Sequence, residues 1–298
     1  MQHPSGVSPS KVFLPQQEGQ FLFLLDFLVY QFPLIPKDEW VSRFHDGLIS
    51  NDDGLILDIT TPYVGGHFVY YFKRVASEEW IPFQEEVIYE DEHLLIADKP
   101  HFLPVTPGGH YVEQTLLTRL KRSTGIDALS PIHRIDRETS GLVAFSKKAE
   151  DRNAYQALFR EKAVTKVYEA IAVYQEDLHL TFPIHHRSRI EESVNFMQMH
   201  EVAGEPNSDS WIDLIESKGS WGRYRLHLGT GKKHQLRVHM SALGLPIKND
   251  QIYPVLQPHV PVNKDFTKPL QLLAKELVFT DPVTNMQHQF FTSQTLHL

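Results

Sequence analysis

The sequence predicts an α/β protein of the α+β kind: a mixed, mostly antiparallel sheet with helices packed on it, preceded by a small N-terminal module. Three observations carry this. Strand-like and helix-like stretches are interspersed without a regular βαβ repeat. A hairpin signal (ValIleTyrGlu, a turn at AspGluHis, then LeuLeuIleAlaAspLysPro) opens the sharper pattern at residue 86. The 298 residues, 41% hydrophobic and 22% charged, suffice for one large domain, or one domain plus a small appendage, with a substantial core.

Taken in order, residues 1 to 16 carry Pro, Ser and Gln with little pattern and are expected to form a loose arm. Residues 17 to 85 read as a small accessory module. Phe21, Leu24, Leu25, Phe27 and Leu28 mark a helical apolar stretch, an AsnAspAspGly turn follows, and residues 55 to 71 alternate like short strands punctuated by Gly. Residues 86 to 298 form the main domain. After its hairpin, helices are expected at about 113 to 123 and 150 to 163, and strands at about 164 to 174, 192 to 200 and 221 to 229. A helix from about 233 to 243 is stopped by Gly244 and Pro246.

Cys is absent, which excludes disulfides and thiolate chemistry and leaves only His, Asp and Glu to hold a metal. The first residues lack the charged and apolar blocks of a secretory signal, and no apolar run reaches membrane-spanning length, so a cytoplasmic protein is expected. The net charge of −8 is unevenly spread. Residues 17 to 98 hold four Lys and Arg against sixteen Asp and Glu, whereas residues 119 to 166 hold eleven against six. An RNA partner, which needs a basic footprint, is therefore expected on the second part of the chain.

The densest polar segment is ProIleHisArgIleAspArgGluThrSerGlyLeuValAlaPheSerLys, residues 131 to 147. It compresses His133, Arg134, Asp136, Arg137, Thr139 and Ser140 into a loop that runs into an apolar strand. A carboxylate between arginines at a strand start suits a reactive site; spacing alone equally allows a solvated turn with a surface ion pair. The seventeen His residues contain no HisGluXaaXaaHis arrangement, and no metal and no cofactor are expected.

HisArgIleAspArgGluThrSerGlyLeu resembles the signature of the RluA family of RNA pseudouridine synthases. Four further stretches resemble that family's motifs in order: GluValIleTyrGluAspGluHisLeuLeuIleAlaAspLysPro, LysValTyrGluAlaIle, ThrGlyLysLysHisGlnLeuArgValHisMet through ProIleLysAsnAsp, and LeuLeuAlaLysGluLeuValPhe. The resemblance covers residues 86 to about 280. It departs from the family at Lys232 and Lys233, where Arg and Thr are usual, and at Ala274-Lys275, where His-Ala is usual. The first departure keeps positive charge but loses a planar guanidinium. The module is faintly similar to the alpha-L RNA-binding motif. Its acidity leaves open whether it grips RNA or is a degenerate module packed on the catalytic domain.

The resemblance implies the pseudouridine synthase fold and isomerisation of uridines in structured rRNA or tRNA without a cofactor. It makes Asp136 the catalytic carboxylate, Arg237 the cation that pairs with it, and Tyr168 the ring that stacks on the extracted uracil. Arg134 takes the position that occupies the vacated space. Arg137, Lys232, Lys233, His234 and Gln235 are expected to contact RNA, the last four from a helix start where anions bind well. Positive charge builds at the sugar when a glycosidic bond breaks, and a carboxylate stabilises or traps it. Whether Asp136 attacks the sugar, attacks the base or removes a ribose proton stays open. The rival readings are a noncatalytic RNA-binding protein that kept the fold and a hydrolytic uridine nucleosidase. A monomer without a membrane partner is expected.

Overall fold

The computed structural model describes residues 6–16, 19–72, 78–193, 197–257 and 266–298. The chain divides into two compact units, Met1–Glu79 with Gly108–Glu113, and Trp80–Pro107 with Gln114–Leu298. No described helix is long and apolar enough to cross a membrane.

The first unit holds β1 (Ser10–Phe13), α1 (Leu24–Gln31), α2 (Lys37–His45), β2 (Ile49–Asn51) and β3 (Phe68–Tyr71), with sheet order β1-β3-β2. Leu24, Phe27 and Leu28 of α1 meet Trp40 and Phe44 of α2 at helical spacing, over Val69 and Tyr71, the alternate residues of β3. Two sequence expectations change here. Residues 10–13, expected within a loose arm, form an edge strand antiparallel to β3. Of residues 55 to 71, only the last four form a strand. Asn51 Oδ1 accepts from the amides of Asp53 (3.0 Å) and Leu55 (2.8 Å), and Asp58 Oδ1 accepts from that of Thr60 (2.8 Å). Side chains thus take amides that a ladder would otherwise use.

The second unit runs β4 (Glu86–Glu90), β5 (Leu94–Lys99), α3 (Leu116–Thr124), β6 (Ser130–Pro131), β7 (Ser140–Ser146), α4 (Arg152–Arg160), β8 (Thr165–Val173), β9 (Ile184–Glu192), β10 (Met199–Val202), β11 (Ser208–Lys218), β12 (Trp221–Leu228), α5 (Gln235–Ala242), β13 (Leu272–Thr280) and β14 (Gln287–Phe291). They form one 11-stranded sheet, β10-β9-β11-β12-β8-β13-β7-β5-β4, with β14 beside β13 and β6 beside β7. Among the described residues only β7 and β13 pair in parallel, so the sheet is mixed and mostly antiparallel. The expected strand at 192 to 200 is instead a reversal: β9 ends at Glu192 and β10 starts at Met199, its antiparallel partner, while residues 194–196 lie outside the described residues. The sequence reading missed β11. Two of its inward positions are Ser208 and Ser210, buried to 2% and 0% exposure, which an apolar-periodicity reading passes over.

Two parts of this sheet position the polar loop and its partners. Leu236 and Met240, four apart on α5, pack on Tyr168, Ala170, Ile212, Tyr224 and Leu226, which brings the helix against one face of the central strands. At the parallel junction, Gly141 lies opposite Ala274 with φ +106. A Cβ on Gly141 would collide with the Ala274 carbonyl oxygen and stand 2.8 Å from its nitrogen. Gly141→Ala is therefore expected to cost at least about 2 kcal/mol, combining backbone strain with a clash against a central strand. Urea unfolding measures this, and a loss under about 0.5 kcal/mol would contradict the packing described.

Candidate active site

Residues 132–139 form a loop held at both ends. The Ile132 amide donates to the Ala144 carbonyl (2.9 Å), and the Thr139 amide donates back to the Asp136 carbonyl (3.2 Å) before β7 begins. The turn leaves the Asp136 side chain 24% exposed at a cavity of about 1070 Å³. Eight Lys and Arg residues line that cavity and Asp136 is the one carboxylate among its lining residues. The cluster implied by the sequence thus assembles: Arg134, Asp136, Arg137, Tyr168, Lys232, Lys233, His234, Gln235 and Arg237 all line it.

Arg237, 1% exposed, donates from Nη1 to Asp136 Oδ2 at 3.2 Å. Its remaining fork goes elsewhere. Nε donates to Asp250 Oδ2 (2.8 Å) and Nη2 to Asp250 Oδ1 (2.7 Å), with Asp250 also 1% exposed. Asp250 is fixed in turn by the amides of Ile252 (2.8 Å) and Tyr253 (3.1 Å). Burial alone would pull the Arg237 guanidinium down, but Asp250, Asp136 and Glu138 hold it firmly charged. The sequence reading paired Arg237 with Asp136 and missed Asp250, which takes the larger share of its fork. Asp250 closes the ProIleLysAsnAsp stretch, yet nothing in its local pattern distinguishes it from a turn residue.

Burial and the Asp136 charge push the Tyr168 phenol well above its ordinary range, so it keeps its proton at neutral pH. The residue is 7% exposed and lines the cavity. Lys99, which the sequence reading also missed, is fully buried at the end of β5. Its Nζ donates to the carbonyls of Pro100 (2.9 Å), Leu103 (2.7 Å) and Arg137 (3.0 Å) and so ties the loop after β5 to the Asp136 loop. Burial pulls its ammonium down to about 7, against the pull of Glu138 and Asp136. Burial likewise favours the neutral form of Glu138, but the Arg137 and Arg237 guanidiniums overcome this and keep its carboxyl below the usual range.

Among the residues expected to meet RNA, Arg134 is exposed at the cavity. Lys233 stands 3.7 Å from Glu192 on the surface, and Arg137 is paired with Glu138 at 2.7 Å. Gln235 corrects its expectation. It is 2% exposed, and its amide is spent on the chain: Oε1 accepts from Thr230 Oγ1 (2.7 Å) and the Lys232 amide (3.1 Å), and Nε2 donates to the Asp209 carbonyl (2.8 Å) and Ser210 Oγ (3.0 Å). It braces the loop that carries Lys232 and has no polar atom left for a phosphate. His234, at φ 56, is held by Tyr253 Oη at 3.0 Å from its Nδ1.

Tertiary structure also gathers His186, Glu201 and His239, whose donor atoms lie within 4.8 Å of one another. His239 is committed to serines, Ser210 at Nδ1 (3.0 Å) and Ser208 and Ser188 at Nε2 (2.9 and 3.1 Å). Its ring nitrogens serve the core between α5 and the sheet.

The family described as RNA pseudouridylate synthase matches residues 93–242, which contain the Asp136 loop, Tyr168 and Arg237. The chain is 30% identical over 233 residues to an uncharacterized RNA pseudouridine synthase of Synechocystis sp., covering 77% of this chain and 79% of that one. It is 33% identical over 207 residues to the dual-specificity RNA pseudouridine synthase RluA of Haemophilus influenzae, covering 67% and 88%. The fold is shared with the solved structure of human RNA pseudouridylate synthase domain containing 1, with TM-score 0.58 and 20% identity over 73% of this chain and 86% of that one. The match spans half the chain and contains all but one of the residues that line the cavity, and with these relatives it shows the kinship: the chain belongs to the RluA family of RNA pseudouridine synthases.

Proposed function

We propose that this enzyme acts on a uridine in structured rRNA or tRNA, extracted from its stack, with Asp136 as the catalytic carboxylate. The observation that carries the assignment is a lone carboxylate, hydrogen-bonded by a buried arginine, in a cavity whose other charged lining residues are all Lys or Arg. The cations suit an RNA backbone, and binding by itself has no use for an acid among phosphates. Asp136 stabilises or traps the positive charge that develops as uracil leaves ribose, Arg237 orients it through their hydrogen bond, and Tyr168 stacks on the freed base. The raised Tyr168 phenol acts as a proton donor and ring platform rather than as a standing base. Arg134, exposed beside the loop, enters the space that the uridine leaves.

The decisive experiment is a chemical map of pseudouridine in total RNA from cells with and without the gene. One or more uridines should lose the modification, and the purified protein should restore it in the presence of EDTA on pre-folded RNA. Release of free uracil instead of pseudouridine would identify a nucleosidase. Restoration only after zinc is added would overturn the metal-independent reading.

A further inference from the structure

Two polar side chains of the cavity have no part in the chemistry above. Lys166 lies on β8 two residues before Tyr168, so both project from the same face of the strand, about 6.6 Å apart along it. Its Nζ stands beside Gly231, where an added Cβ would lie 3.7 Å away, at the turn that leads to Lys232. Lys166 is half-buried and has no carboxylate partner among the described residues. Burial, and then the neighbouring Lys162, lower its pKa. A desolvated cation without a counter-ion is costly in the free protein, and an anion supplied by the ligand removes the cost.

His133 completes the arrangement. The Ala144 amide donates to its Nε2 at 3.1 Å, so Nε2 is an unprotonated acceptor and the ring proton resides on Nδ1. The ring stacks on Phe159 with centroids 4.7 Å apart and planes inclined by 18°. Nδ1 has no partner among the described residues, and the ring lines the cavity. Burial and Lys166 hold the imidazole down at about 3, so it stays neutral and offers one N–H donor without repelling the lysine.

We propose that Lys166 and His133 form a phosphate subsite that grips the RNA backbone next to the extracted uridine, Lys166 supplying the charge and His133 Nδ1 a directed hydrogen bond. The subsite rests on the RNA-modifying reading above. It places a backbone anchor one step along β8 from the ring on which uracil stacks, and so sets how far the strand is drawn into the cavity.

The test uses the full chain and a labelled oligouridylate. Lys166→Met should weaken binding about tenfold at 0.1 M salt and flatten the plot of log affinity against log salt by about 0.7, the value for one contact to a single strand. Lys166→Arg should restore the slope. His133→Gln keeps an acceptor for the Ala144 amide but lacks the Nδ1 donor, so it should lose affinity at an unchanged slope. In turnover, Lys166→Met should raise the half-saturating RNA concentration more than it lowers the saturated rate. An unchanged slope in folded Lys166→Met overturns the subsite. Should that variant fail to fold, reductive methylation of the wild-type protein decides: oligouridylate should protect Lys166 and uridine nucleoside should not, and equal labelling with and without oligouridylate overturns the proposal. Pseudouridine formation by the wild type, with an unchanged Lys166→Met slope, removes the subsite and leaves the parent reading standing. A wild type that modifies no RNA removes both.

Discussion

Asp136→Asn is expected to reduce pseudouridine formation below detection, a loss of at least about 10³-fold or about 4 kcal/mol in transition-state stabilisation. The substitution is nearly isosteric but removes the charge that glycosidic cleavage requires, and it turns an acceptor into a group that can present N–H to Arg237 Nη1. RNA affinity should stay within a few fold, because it is carried by the surrounding cations. Stability should also hold. Asp136 is 24% exposed, and Arg237 keeps both hydrogen bonds to Asp250 when Asn replaces Asp136. Single-turnover rates beside thermal unfolding separate these effects. Substantial remaining turnover in a folded variant would remove Asp136 from the chemistry.

The second large effect is expected at Arg237, where the geometry sharpens what the sequence suggested. The sequence suggested that Arg237 pairs with Asp136; the alternative for an arginine lining a basic cavity is to grip a phosphate. A side chain 1% exposed, with two of its bonds on a buried carboxylate, is poorly placed for the second role. Arg237→Lys should lower the single-turnover rate by more than tenfold, above about 1.4 kcal/mol, since one ammonium cannot span Asp250 and Asp136 with the planar fork's geometry. Arg237→Ala should in addition destabilise the second unit by about 3–5 kcal/mol, because the buried Asp250 carboxyl loses its partner. For a unit of this size that corresponds to a fall of roughly 10 °C in Tm. A Lys variant with a normal single-turnover rate, and an Ala variant that only flattens the salt dependence of RNA binding, would return Arg237 to the phosphate role.

The residues of the site differ in how they could be found. Asp136, Tyr168 and Arg237 sit in local motifs whose resemblance to the family already implied chemistry, and each lines the cavity. Asp250 and Lys99 lie in equally legible stretches. Their importance depends on being buried against a partner far along the chain, Arg237 in one case and the Arg137 carbonyl in the other. Gln235 illustrates the reverse error. Its place in a basic helix start suggested a phosphate ligand, but neighbours from β11 and the preceding turn consume its amide.

The same division runs through the fold. The alternation and punctuation of residues 86 to 99, the helical stretches ending at Gly125 and Gly244, and the apolar run after Ser140 are local patterns, and local sterics and hydrogen bonding suffice to produce hairpin, helix and strand there. The sequence by itself also held the carboxylate and its basic surroundings, and the resemblance of its ordered motifs to the RluA family supplied the class of reaction. Only tertiary structure decided that β7 runs parallel to β13 through Gly141, that Ser208 and Ser210 face inward to hold His239, and that Gly108–Glu113 belongs to the first unit. It also decided that Arg237, 101 residues from Asp136, divides its fork between two carboxylates. The physical reason is common to all four. Burial and long-range pairing set the energy of a polar group, and neither quantity is a property of the few residues on either side of it.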